Sequence, residues 1–224
     1  MHPHPSPLVQ TPVLTAEGLV FGHASSSGPP VLDQLTMVLL PGVTWVSGGE
    51  GSGKTSLLQL LAGAVEPGAF QGQLCIQRVS LTQNRAAYCQ LAGWLDPRDS
   101  ARDQQTARQI FTGLQHQNAR FSLGALQAHI AGLSLAPHLD KALYMLSSGT
   151  RRKVLMAAAM AAMAPVTLLD QPFMALDRPS SAYLLQQLDR AAQQSVRAWV
   201  VADYEAPPGI ALAGTVELRP GRQE

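Results

Sequence analysis

Charge is scarce in this chain. Asp, Glu, Lys and Arg make up 14% of its 224 residues and nearly cancel, leaving a formal net charge of +1. Such a chain has no broad field with which to attract nucleic acid or anionic lipid, so any polyanion has to be met locally. No nucleic-acid partner is expected. Aromatic residues are also few, at 5%, which leaves alanine and leucine to do much of the packing. Two cysteines, Cys75 and Cys89, suffice for one bridge. Without a secretion signal, both are expected to be reduced and in the core. Long hydrophobic runs are missing too. The longest, Val154 to Ala164, stops at Pro165 and is too short to span a bilayer, so membrane association has to come through a partner. The opening "MHPHPSPLVQTP" has neither the charged nor the apolar region of a signal peptide; residues 1–12 are expected to form a flexible tail.

What is present is enough for one domain with a subdomain: 23.8 kDa, 46% apolar. Val13–Phe21 and Leu35–Leu40 read as short strands on either side of the turn-forming "GHASSSGPP", the start of an antiparallel layer. "GVTWVSG" is a β-branched and aromatic run that ends in glycine, and Thr55–Ala62 follows with leucines at helical spacing. Strands are predicted at Leu74–Val79 and Arg85–Cys89. From Gln90 to Leu146 the pattern turns helical and more polar. Val154–Ala164 and Ser180–Gln194 then read as helices that alternate with strands at Val166–Leu169, Ala198–Ala202 and Thr215–Leu218. That alternation argues for a parallel sheet with helices packed on it.

Between the first apolar strand and helix lies "GGEGSGKTS". Gly48-x-x-x-x-Gly53-Lys54-Thr55 fits the P-loop pattern in full. Gly48, Gly49, Glu50, Gly51, Ser52 and Gly53 offer backbone N–H groups to phosphate, and the glycines keep Cβ atoms out of the way. The helix that opens with Lys54, Thr55 and Ser56 points its positive end at the anion. Lys54 supplies a point charge for the outer phosphates and Thr55 a hydroxyl for Mg²⁺. The ligand expected is ATP with Mg²⁺. Glu50 places a carboxylate inside this loop, where it is expected to point to solvent.

Downstream, "VTLLDQPFMALD" is an apolar strand that ends in Asp170, the metal-side carboxylate such a loop requires opposite its hydroxyl. "LSSGTRRK", Leu146–Lys153, is a Ser- and Gly-rich helix start, for which Ser147 serves at least as an N-cap. Taken together, from Val13 to Leu218 the chain resembles the nucleotide-binding domain of ATP-binding cassette (ABC) proteins. "GGEGSGKTS" is similar to the family's Walker A loop, "LSSGTRRK" with Ser147 and Gly149 to its signature motif, "LLDQP" to its Walker B strand, and Ala175–Asp177 to its D-loop. Phe21 stands where the family stacks an aromatic on adenine. Gln90 resembles the glutamine that joins the core to the helical subdomain and serves the metal and the reaction.

The resemblance implies a P-loop α/β fold. It has a mixed sheet core with an antiparallel layer (13–90 and 147–224) and a helical subdomain over 91–146. It also implies a cytoplasmic ATPase that pairs with a second cassette, in a homodimer or a heterodimer, and sits on the inner face of a membrane through a transmembrane subunit. The chain departs from the family in its chemistry. Gln171 replaces the glutamate that activates water, and Ala202 falls where the family has a histidine on the γ-phosphate; no histidine occurs after His138. Ser148 and Thr150 replace the usual glycine and glutamine. An amide cannot accept a proton, so ATP is expected to be bound and turned over slowly, with Glu50 and Glu205 as weak substitutes for the base.

The leading expectation is the ATP-binding subunit of a membrane transporter, and the alternative a non-catalytic ATP-sensing cassette. A P-loop kinase leaves the signature and D-loop unexplained. His116, His129 and His138 lack the i, i+4 spacing of a metal pair. Trp45, Trp94 and Trp199 read as packing, with Trp94 a candidate for the neighbourhood of a transmembrane partner.

Overall fold

The computed structural model describes residues 10–22 and 29–218; most of the tail expected over 1–12, with His2 and His4, lies outside them. In chain order the elements are β1 (Leu14–Phe21), β2 (Leu32–Leu39), β3 (Gly42–Ser47), α1 (Lys54–Leu61), β4 (Phe70–Ile76), β5 (Val79–Ser80), α2 (Arg85–Cys89) and β6 (Ala92–Gly93). They continue with α3 (Ala107–Gln117), α4 (Leu123–Gly132), α5 (Ser148–Ala161), β7 (Val166–Asp170), α6 (Arg178–Ala192), β8 (Ala198–Ala202) and β9 (Leu212–Glu217).

Two sheets result. One is antiparallel, in the order β2-β1-β4-β5, and the other is parallel, in the order β6-β7-β8-β3-β9. The parallel strands are apolar on both faces because both faces are covered. Along β7 and β8 the side chains alternate. Val166, Leu168, Ala198 and Val200 join one core cluster with α1 and the antiparallel sheet. Leu169, Trp199 and Val201 join a second cluster with α3, α4, α5 and α6. α1 is wedged between the two sheets through Leu57, Leu58, Leu60 and Leu61, all fully buried. α5 is buried almost all round from Lys153 to Ala161, and its run of alanines is what lets neighbouring elements approach that closely.

Four sequence expectations differ from the fold. Arg85–Cys89 is a helix, not a strand: Asn84 caps it by accepting the Ala87 N–H at 3.0 Å, and Ala86 and Ala87 are strong helix formers. The strand expected over Leu74–Val79 breaks at Gln77, which turns at φ 57° to separate β4 from β5. Cys75 and Cys89 are free, but half-buried rather than in the core. The helical stretch opens only after Gly93, because β6 pairs with β7 in the parallel sheet. Trp94 packs against the first core cluster.

Two tyrosine hydroxyls fix helices to their neighbours. The fully buried Tyr88 donates to the Leu61 carbonyl at 3.0 Å, pinning α2 to the end of α1. The Tyr183 hydroxyl of α6 meets His129 Nδ1 of α4 at 2.8 Å, with the rings edge to face. Burial, with the Arg197 charge adding to it, holds the His129 imidazole down to about 4, against an ordinary value of 6.5.

Tyr88→Phe leaves the Leu61 carbonyl without its buried donor and should destabilise the fold by about 1–2 kcal/mol, read as a lower urea midpoint at unchanged slope. The unfolded chain takes up a proton on His129 that the folded chain refuses between pH 6.5 and 4. Stability from this group is therefore complete above pH 6.5 and is lost as pH falls toward 4. His129→Gln, which keeps a partner for the Tyr183 hydroxyl, should flatten that part of the urea-midpoint profile.

Candidate functional site: the phosphate loop and the strand ends around it

β3 ends at Ser47 and the glycine loop turns directly into α1. Gly53 makes that turn at φ 92°, and a Cβ there would stand 2.7 Å from the Val31 side chain, so the position admits only glycine. Lys54 is buried at the helix start. Its Nζ donates to the carbonyls of Gly48 at 2.6 Å and Gly49 at 2.8 Å, and it lies 4.3 Å from the centre of the Tyr204 ring, a cation–π distance. Burial lowers the Lys54 pKa, opposed by the charges of Asp170, Asp203 and Glu50.

Across the sheet, β7 delivers Asp170. Its Oδ2 accepts the Thr55 hydroxyl at 2.7 Å, while Oδ1 is buried without a partner among the described residues. Burial raises the Asp170 pKa; the Thr55 hydroxyl and the charges of Arg98 and Arg152 pull it back. The Arg98 guanidinium lies 4.0 Å from Asp170 Oδ2. A cavity of about 580 Å³ spans this region, walled among others by Glu50, Lys54, Thr55, Arg98, Gln171 and Tyr204. A Cβ at Gly49 or Gly51 would meet nothing within 4 Å. The loop is therefore an open cradle of backbone, with one cation inside and a carboxylate with a spare oxygen opposite. That donor set fits a phosphate chain and a hard divalent cation.

The structure brings together the loop, Lys54, Thr55, Asp170 and Gln171, and separates others from them. Gln171 directly follows Asp170 at φ 46°; its N–H donates to the Ala202 carbonyl at 2.8 Å, and the residue stands in the cavity wall. Glu50 is exposed at the rim. Ala202 does not reach the cavity. It is the fully buried last residue of β8, in register with Asp170, and the residues that emerge beyond it are Asp203 and Tyr204. Gln90 is likewise misplaced. It is exposed at the end of α2, before β6, and in a parallel sheet that is the edge opposite the carboxyl ends of β3, β7 and β8. At the correct end of β6 the chain supplies Asp96 and Arg98. Phe21 is 7% exposed and packed in the first core cluster, outside the cavity lining, where Val31 is the nearby apolar residue.

Sequence reading missed Arg98, Asp203 and Tyr204. The available signal was positional, since residues just beyond the carboxyl ends of parallel strands converge on one edge. Asp203 is half-buried and its pKa is raised by burial, against hydrogen bonds from the Tyr204 and Phe173 N–H groups.

Ser147 and Gly149 stand apart from this cavity. Ser147 caps α5, accepting the Thr150 N–H at 3.2 Å. A Cβ on Gly149 would come 2.3 Å from the Ala175 carbonyl oxygen, so the helix start is pressed against the turn after β7. Lys153 pairs with Asp177, which also accepts the Ser180 N–H at 2.8 Å; these bonds, led by that of Lys153, hold the Asp177 carboxyl well below the usual range. Arg151 ties the same helix to the loop after β6, donating to the carbonyls of Pro97 at 3.2 Å and Asp99 at 2.6 Å and pairing with Asp103.

Comparison with known proteins bears on the family and the fold. The sequence profile of the ABC transporter family matches residues 32–174. The cytochrome c biogenesis ATP-binding export protein CcmA of Pseudomonas putida GB-1 is 34% identical over 149 residues, 66% of this chain and 70% of the relative. Its counterpart in Pseudomonas fluorescens Pf0-1 is 30% identical over 187 residues, 82% of each chain. Among solved structures, the ATP-binding subunit of an ABC transporter superposes with a TM-score of 0.71 at 18% identity, covering 85% of this chain and 79% of that one. The dimeric cassette MJ0796, in a post-hydrolysis state bound to ADP and Pi, superposes at 0.70 and 17% identity, covering 86% and 88%.

Gly149→Ala drives a methyl into the Ala175 backbone, which cannot swing aside. It should cost about 1–3 kcal/mol, measured as a lowered melting temperature. Gly51→Ala, where a Cβ meets open space but the backbone turns at φ 70°, should cost about 1–2 kcal/mol from the backbone alone.

Proposed function

This chain belongs to the ABC transporter family, and on that premise we propose that it is an ATP-binding subunit that holds Mg·ATP firmly, hydrolyses it slowly and passes the binding cycle to a separate transmembrane subunit. The observation that carries the reading is the pair formed by Thr55 and Asp170 at 2.7 Å beside Lys54, followed immediately by an amide, Gln171, where a base is needed. Among the described residues no helix is long and apolar enough to cross a membrane, and the subunit is taken to lie on the cytoplasmic face through its partner. The relatives are named as export proteins, which supports export over the sensing alternative.

The chain's own residues divide into those that bind and those that react. The backbone N–H groups of the glycine loop and of the first turn of α1 receive the phosphates. Lys54 exchanges its two carbonyl partners for phosphate oxygens and stays cationic there, because the anion offsets the burial that lowers its pKa. The Thr55 hydroxyl and Asp170, including its spare Oδ1, would hold Mg²⁺, which supplies charge neutralisation on the outer phosphates. The reacting groups are deficient. Gln171 stands at the cavity wall and can orient water by hydrogen bonding, but it cannot take its proton. Ala202, at the position matched to the family's histidine, stays buried in β8, and the residue that emerges after it is Asp203, whose carboxylate is occupied with the Tyr204 and Phe173 N–H groups. A negative group there offers no donor to a terminal phosphate.

Ser147 and Gly149 begin α5 away from the cavity of their own chain, which supports their use on the nucleotide of a second cassette. In a homodimer both sites would carry Gln171. In a heterodimer this chain would lend its signature turn to a partner's site and keep a slow one of its own.

The purified chain should bind Mg·ATP and turn it over slowly. Lys54→Ala should abolish binding, and Gln171→Glu should raise turnover by about tenfold or more, the lower end of what a positioned base contributes. Brisk hydrolysis by the wild-type protein, unchanged in Gln171→Glu, would remove the impaired-site part of the reading.

A further inference from the structure

We propose that Arg98 is the selecting cation of this site: it reaches the terminal phosphate of a bound nucleoside triphosphate and sets the preference for triphosphate over diphosphate. The inference rests on the reading of the cavity as an ATP site and assigns a residue outside the loop and the Walker B strand. Three features single Arg98 out.

The first is how it is carried. The loop after β6 is anchored from two sides. The Asp96 carboxylate accepts the Arg98 N–H at 2.9 Å and the Gln59 amide of α1 at 3.3 Å, while Arg151 of α5 holds the flanking carbonyls of Pro97 and Asp99. The backbone is thus fixed on either side of Arg98, but its side chain is not. The side chain is 64% exposed, and its ion pair with Asp170 is at the outer limit of such contacts, 4.0 Å. A cation on a rigid stalk with a weak partner is free to change partners.

The second is where it stands. Thr55 and Arg98 address the same oxygen of Asp170. Lys54 and Thr55 mark the two outer phosphates of a P-loop ligand, so Arg98 is on the side of the cavity where those phosphates lie. When a cation accompanies the nucleotide to Thr55 and Asp170, the carboxylate no longer needs Arg98, and the nearest new anion is the terminal phosphate. A planar guanidinium meets two phosphate oxygens at once, which a lysine cannot do.

The third is that the other cations have tasks of their own. Lys54, held by two carbonyls and the Tyr204 ring, is taken up by the loop phosphates once nucleotide binds, and the Arg152 Nη1 donates to the Met174 carbonyl at 3.0 Å. Asp170, Asp203 and Glu50 all add negative charge around Lys54. In this surrounding a third phosphate is the most repelled part of the ligand and has the most to gain from a free cation.

The test measures ATP and ADP affinity by calorimetry with Mg²⁺, on the full chain and on Arg98→Ala and Arg98→Gln. Both variants alter an exposed side chain and should melt with the wild type; two are used so that a folding failure of one leaves the other to be read. The expected result is a loss of roughly tenfold for ATP, of the order one charge-assisted phosphate contact contributes, with ADP changed by less than about twofold. Equal weakening of ATP and ADP would mean a general field rather than a terminal-phosphate contact and would overturn the assignment, as would no change in either. A wild-type chain that binds neither nucleotide would instead overturn the reading of the cavity itself.

Discussion

The hydrogen bond between Thr55 and Asp170 is the contact on which the architecture of the site turns. The two residues are far apart in sequence and belong to different elements, one the first turn of α1 and the other the end of β7, and they meet only if β3, β8 and β7 lie side by side and parallel. The register achieves that: Val46 of β3 pairs with Ala202 of β8, which pairs with Asp170 of β7. The polar groups that face the cavity are appendages of this edge. The glycine loop leaves β3, Gln171 leaves β7, Asp203 and Tyr204 leave β8, and Arg98 leaves β6. The alternating apolar residues of these strands, buried on both faces, hold the edge rigid enough for a 2.7 Å contact between side chains that no local interaction would bring together.

Much of this was legible in the sequence, for identifiable reasons. The P-loop pattern has mechanical demands on every position, so Gly48 to Thr55 could be placed residue by residue. The continuous apolar strand before Asp170 told its own depth. What escaped was governed by direction rather than composition. Gln90 has the right side chain in nearly the right place along the chain, but it precedes β6 instead of following it, and two strand residues put it on the opposite edge of the sheet. Ala202 fails by a single step, since a residue that still pairs in β8 cannot face the cavity while the next can. Phe21 is an aromatic at a strand end, and burial beside the β-sheet core was the stronger claim on it. Short elements such as β6 and α2 carry too little periodicity to be read, and the misplacement of Gln90 traces to those two.

The substitutions at Gln171 and beyond Ala202 leave the scaffold intact. Gln171 keeps the backbone bond to the Ala202 carbonyl, and Asp203 gives its carboxylate to the turn that follows β7. Both positions serve the scaffold through backbone hydrogen bonds.

Lys54 folded back on the carbonyls of Gly48 and Gly49 has one further effect. The lysine is closed on the loop's own carbonyls, so an arriving anion has to outbid two short hydrogen bonds and a ring contact before it gains that cation. A monovalent carboxylate offers little against them. On the proposed reading, a chain of phosphates that also engages the helix start and the Asp170 side offers more, so the loop would act as a threshold that screens its visitors by charge before any contact with base or sugar is made.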